Sequence, residues 1–287
     1  MRASERLTVA FLLLLSGLVV VAWPAGAWLR LPVFLAMAAI TVALVRSGTH
    51  SPALRFLRDW FGLLVVISVY MLLQPVIEAL TPWRLDAALA QFDGRYLGWL
   101  VSAWRGAFGR PDAFTDIVYA GYCSYYVLPV VVLAAVRLRG GRDGFEHAAF
   151  AVLSAFYLSY IGYLGAPASG PRLPLEQEAS VVGGSAFSDL VRAFLARAEA
   201  TTLDAFPSGH TAVALVSAVH GMRVLGFAGA IAVWLCAALV VFATVYIHVH
   251  YAVDVLAGIA LAVLVLLMAP HAERLLAPTK RAANRLT

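Results

Sequence analysis

Eight apolar runs, most near the length that crosses a bilayer, constrain this chain more than any other feature. A helix needs roughly 20 apolar residues to span the hydrocarbon core, with about 17 to 25 as the working range. On that rule candidate spans fall near 7–29, 31–45, 60–80, 114–136, 147–166, 207–226, 228–248 and 252–269. The second is short, so it is expected to tilt or to re-enter the membrane. The chain is 62% hydrophobic and only 13% charged, and its mean hydropathy of +0.84 lies far from the balance of a soluble domain. The expectation is an all-α integral membrane protein. No clear repeat and no Ser/Pro-rich linker divide it, so one helical membrane domain is the simplest organisation.

A net charge of +5 raises the question of nucleic acid, but arginines scattered between long apolar runs fit membrane topology better. No basic surface interleaved with aromatics offers bases a place to stack, so no nucleic-acid partner is expected. Cys123 and Cys236 both lie inside apolar runs and read as small buried hydrophobes rather than as a disulfide or a thiolate site. The basic start and apolar core of residues 1–27 resemble a signal peptide ending in AGA. A second apolar run follows within a few residues, which favours a retained signal anchor.

With the N-terminus inside and eight spans, 13 of the 21 Lys and Arg residues fall on the cytoplasmic side, among them Arg2, Arg58, Arg137 and Arg142. The other eight lie mostly in two long outer segments. In 186–198, AFSDLVRAFLARA, the residues Phe187, Leu190, Val191, Phe194 and Leu195 recur at the spacing of an amphipathic helix, expected to lie on the membrane surface. The stretch 83–108 is similarly mixed, with Trp83, Trp99 and Trp104 suited to the headgroup level. Both are placed to cap a site that opens sideways to lipid.

Ionisable residues at membrane depth cost free energy, so each needs a reason. Three polar islands fall on the same outer face: GAPASGPRLP (165–174), DAFPSGHT (204–211) and TVYIHVHYAVD (244–254). In the second, Pro207 and Ser208 are ordinary helix-start residues, while the helix start is also a ready anion site. In the third, a helix beginning near Tyr251 brings Asp254 within reach of His250 over one turn. A carboxylate there fixes the tautomer and leaves the other ring nitrogen free as nucleophile or base. His248, if helical, points to the other side, and His50, His147, His220 and His271 have no partner at ligand spacing. Asp204 reads as a solvated loop acid or helix-start residue before it reads as a contact for an acceptor, and Glu78 as a structural hydrogen-bond partner. His210, His250 and Asp254 are legitimate metal ligands, but Arg172 and a glycine-bearing helix start favour a phosphate over a cation. No metal and no cofactor are expected.

These residues resemble the type 2 phosphatidic acid phosphatase superfamily. Pro207, Ser208, Gly209 and His210, followed after 39 residues by His250 with Asp254 four further on, are similar to its second and third signatures, and Arg172 in GPRLP to the arginine of its first. The resemblance implies a six-helix core over 60–270, preceded by a transmembrane hairpin and loop (1–59) and followed by a basic cytoplasmic tail (271–287). It also implies a metal-independent enzyme whose non-cytoplasmic site acts on a lipid phosphate or phosphodiester. In it, His250, oriented by Asp254, forms a phosphohistidine, His210 serves as acid and base, and Arg172, Ser208 and the backbone at Gly209 hold the phosphate. Two cations usual in the signatures are replaced, by Gly165 and Thr244. Both gaps, and DAALAQFDGRYLG at 86–98, resemble the branch that includes the inositol phosphorylceramide synthases, which implies a phosphotransferase with an alcohol such as inositol in place of water. A phospholipid transporter or flippase that binds a headgroup without chemistry is the competing reading. Against it, the islands gather at one face and no inverted repeat is visible. A scaffold is disfavoured by the HxxxD pair.

Overall fold

The computed structural model describes residues 1–22, 26–47, 51–100, 103, 107, 111–173, 180–199 and 201–277. Of the residues singled out above, His50, Trp104 and most of the basic tail lie outside that set. The described chain is all-helical. Helices α1 (Ala3–Val21) and α2 (Leu31–Arg46, entered through a 3₁₀ turn at Ala27–Arg30) form the hairpin, and α3 (Pro52–Leu80) follows. A short helix α4 (Asp86–Phe92) runs into a π-helical turn at Asp93–Leu97. Then come α5 (Asp112–Arg139), α6 (Gly141–Gly165), α7 (Ala186–Ala198), α8 (Gly209–Met222), α9 (Phe227–Tyr246) and α10 (Ala252–Leu276).

Local chemistry sets most of these bounds. Ser51 and Pro52 open α3, the Ser185 hydroxyl accepts the N–H of Phe187 at the start of α7, and α6 stops at Gly165 just before Pro167. Among the described residues, seven helices are long and apolar enough to cross a membrane, including Ala27–Arg46, so the segment expected to be short gains its length from the 3₁₀ turn.

The expected span at 207–226 differs. Helix α8 has only 14 residues, about 21 Å at 1.5 Å per residue against a core of about 30 Å. It is encased by α5, α6, α9 and α10. Its far end reaches His147 of α6, whose ring lies 5.3 Å from that of His220. Its first turn is level with Ser159 and Tyr163 of α6, inside the end of that helix. The polar start of α8 therefore sits buried within the bundle, level with the last turns of α6.

Between the helices, association rests on packing rather than on expulsion of water, which favours small residues. Helix α6 is the most enclosed of the long helices and presents Ala148, Ala149, Ala151 and Ala155 at its contacts. Helix α1 docks on α6 and α10, with Thr8 Oγ1 3.0 Å from the Tyr157 hydroxyl, so the hairpin is packed onto the rest. At the end opposite the polar islands, Arg2 pairs with Asp59 at 2.6 Å, Arg58 with Glu5 at 2.5 Å and Arg137 with Asp59 at 3.5 Å. Helix α7 forms where the amphipathic pattern places it. It buries Val191 and Leu195 and leaves Phe187, Leu190 and Phe194 exposed.

Candidate active site

The three polar islands converge. Ser208 is the N-cap of α8: its hydroxyl oxygen accepts from Thr211 N at 3.3 Å and from Thr211 Oγ1 at 3.1 Å. Its own N–H donates to the Asp254 carbonyl at 3.0 Å, which ties the start of α8 to the first turn of α10. Gly209 follows, and a side chain there would put Cβ 2.3 Å from the Tyr163 hydroxyl, so glycine is required by that close approach. His210 then projects between Tyr122 and Tyr125, with ring centroids 5.0 and 4.2 Å away.

His210 Nδ1 lies 3.2 Å from His250 Nε2. His250 is 1% exposed and sits on the turn between α9 and α10. Thr244 builds that turn, its carbonyl accepting the N–H groups of Val249 and His250, both at 2.9 Å. The backbone is not helical at His248, which takes a left-handed φ of 61°, so the helical argument for its direction does not apply. Tyr251 is the N-cap of α10, as expected, and Asp254 accepts its N–H at 2.8 Å. The same Oδ2 faces His250 Nδ1 across 3.5 Å. Nδ1 has no hydrogen-bond partner among the described residues at that distance, and Nε2 is the nitrogen that faces His210.

Arg172 reaches the same region, but it is already engaged. Its Nη2 pairs with Asp204 at 2.7 Å and its Nη1 with Glu199 at 3.3 Å. Asp204 also accepts the Tyr70 hydroxyl at 2.9 Å and is 3% exposed. The expectation of a solvated loop acid is therefore corrected: the carboxylate is buried because it neutralises the guanidinium. Glu199 accepts the Tyr122 hydroxyl, and the Tyr126 hydroxyl at 3.4 Å. Burial works against the charge on Arg172, and the Asp204 and Glu199 carboxylates outweigh it and raise its pKa. Burial pushes the Glu199 carboxyl above its ordinary value, with Arg172 pulling the other way.

A remote segment holds these parts in register. Asp86 Oδ1 accepts the N–H groups of Ser169 and Gly170 at 2.9 and 3.0 Å, on the loop that leads to Arg172. Asp93 accepts the N–H groups of Ala252 and Val253, both at 2.9 Å, at the start of α10. Gly170, at φ 76°, crosses so close to the His250 turn that a Cβ would lie 2.2 Å from the Val249 carbonyl oxygen.

A family model described as the PAP2 superfamily matches residues 87–268, from α4 to α10. The chain belongs to the PAP2 superfamily. No curated protein and no solved structure matches it. Membership supports a phosphatase-type function on lipid phosphates in general.

Two cavities meet this cluster. One, of about 430 Å³, is lined mainly by apolar and aromatic side chains of α3, α5 and α6, with Ile67, Val130 and Phe194 at its exposed rim and Gly209, His210 and Asp204 at its inner end. The other, of about 180 Å³, is more polar and is lined by Arg172, Arg192, Glu199 and Thr202. The network of Arg172 with its two carboxylates touches both. Among the described residues, no group of three or more His, Cys, Asp or Glu is arranged to hold a metal ion.

The structure thus brings together all six residues expected at the site, with Ser208 serving first as a helix cap. Sequence reasoning did not identify Glu199, Asp86 or Asp93. The spacing of seven between Asp86 and Asp93, which puts both on one helical face, was the available signal. Glu78 accepts from Gln74 at 2.9 Å, a local hydrogen bond as expected.

Proposed function

We propose that this PAP2 protein cleaves a lipid phosphate ester through a phosphohistidine on His250, with water or an alcohol as the acceptor. The observation that carries the reading is the 3.2 Å approach of His210 Nδ1 to His250 Nε2 at the inner end of a lipid-sized apolar cavity. In the first step His250 Nε2 attacks phosphorus, the bond to the leaving oxygen breaks, and protonated His210 gives that oxygen its proton. In the second, His210 takes the proton of the acceptor hydroxyl, the acceptor oxygen attacks phosphorus, and the P–N bond breaks. A phosphoryl group has to come between the two nitrogens, so the histidine contact separates when substrate binds. Asp254 steadies the positive charge that develops on His250. No step needs a metal.

Arg172 supplies donors for the equatorial oxygens, and the positive end of α8 favours their charge. Ser208 keeps one hydroxyl proton to add, since its oxygen serves the helix as acceptor. The acyl or prenyl part of the substrate fits the apolar cavity between α3 and α5. We assign the site to the periplasmic or lumenal side, because Arg2, Arg58, Arg137 and Arg142 gather at the opposite end. Gly165 and Thr244 add no cation to the cradle, a pattern that favours the inositol phosphorylceramide synthase-like branch and hence an alcohol acceptor over water.

Product analysis tests this. Purified protein is given a labelled lipid monoester or diester with and without inositol or another alcohol. Headgroup transfer is the expected outcome, and exclusive release of inorganic phosphate sinks the transferase assignment. Binding of the lipid with neither product favours a carrier instead.

A further inference from the structure

A guanidinium offers carboxylate and phosphate the same planar set of donors, so whatever already occupies it competes with substrate. Arg172 is doubly occupied, and its two partners are unequal. Asp204 is tight, at 2.7 Å, and is anchored from behind by Tyr70. Glu199 is looser, at 3.3 Å, stands at the C-terminal end of surface helix α7, and has the Tyr122 and Tyr126 hydroxyls as alternative partners. Arg172 also keeps a buried Nε with no hydrogen-bond partner among the described residues. Glu199 is therefore the partner that an incoming anion can displace at least cost, because its carboxylate is not left unpaired when it lets go.

Charge balance adds a consequence. Asp204 and Glu199 both pair with Arg172 here, and at the two positions where the family usually carries a cation this chain has Gly165 and Thr244. Resting on the phosphate-site reading above, we propose that Glu199 is a built-in competitor for Arg172 that makes the site accept a singly charged phosphodiester and disfavour a doubly charged phosphomonoester. Glu199 is a specificity-determining residue in this account. It yields its place to one negative charge readily, and its own charge opposes the second.

Sulfate and methyl sulfate have the same shape at the binding face and differ by one charge. Their binding to the purified full chain in detergent is read from the concentration dependence of thermal stabilisation, which needs no turnover. In Glu199→Gln, sulfate should bind about tenfold tighter than in wild type and methyl sulfate only about threefold tighter, as removal of one nearby like charge implies. Glu199→Asp, with a shorter reach to Arg172, should lie between and serves if the glutamine variant does not fold. Sulfate affinity that is unchanged or weaker in both variants overturns the proposal, and equal gains for both anions overturn the charge selection. If Arg172→Ala leaves sulfate binding intact, the phosphate-site reading itself fails. Loss of binding in Arg172→Ala with no gain in the Glu199 variants refutes the competitor alone.

Discussion

Asp86 and Asp93 stand seven residues apart on one helical strap, and each carboxylate takes two backbone N–H groups from a different half of the site. Asp86 fixes the loop before Arg172, and Asp93 fixes the turn that carries His250 and Asp254. A displacement of about 1 Å at reacting groups costs on the order of 10²-fold in rate. Asp93→Ala should therefore lower turnover by about that factor and lower stability by about 1–3 kcal/mol for two lost bonds to a charged acceptor. Asp93→Asn keeps one acceptor oxygen and should fall between. Turnover unaffected in a folded Asp93→Ala protein contradicts the positioning role.

Gly209 tests why the PSGH turn contains glycine. Gly209→Ala brings a methyl group to 2.3 Å from the Tyr163 hydroxyl and should cost about 1–3 kcal/mol by overpacking. Tyr163→Phe removes the opposing oxygen, so the double variant should regain most of the loss in thermal unfolding. If the double variant is no more stable than Gly209→Ala, the close approach is not the constraint.

The apolar cavity predicts a division between substrates. Val130→Trp, at its exposed rim, should raise KM for a long-chain lipid phosphate about tenfold, the loss of a few buried methylenes. It should leave a short water-soluble phosphate ester nearly unchanged. An equal effect on both places the tail elsewhere.

Glu199 predicts a pH dependence of stability. Burial raises its carboxyl above the ordinary 4.5, so the folded chain keeps this proton to a higher pH than the unfolded chain does. Its contribution is complete below pH 4.5 and is lost as pH rises through the folded-state value. The stability of wild type relative to Glu199→Gln should therefore decline as pH climbs above 4.5 toward neutrality, measured by thermal unfolding in detergent. A difference that stays flat or grows contradicts the burial of Glu199.

Much of this was legible because its physics is local. Apolar runs of bilayer length gave the long helices, and the amphipathic pattern at 186–198 gave α7. The HxxxD spacing gave His250 and Asp254, since four residues make one turn. What stayed hidden depends on contacts made across long separations. Asp204 looked solvated until Arg172, 32 residues earlier, proved to be its partner. Asp93 caps α10 from 159 residues away. The apolar run beyond Pro207 overstated α8, because hydropathy counts residues and not the turn that ends the helix after Met222. At its other end the helix brings His210 into the lining of the apolar cavity.

Trapping of the phosphoenzyme tests the central claim most directly. Purified protein is mixed with a lipid whose scissile phosphate carries radioactive phosphorus and is quenched within milliseconds in base. The account predicts protein-bound label that survives base, is released by acid and maps to His250, with none in a folded His250→Ala protein. Label that persists in His250→Ala, or turnover by the wild type with no protein-bound label at any quench time, would contradict it.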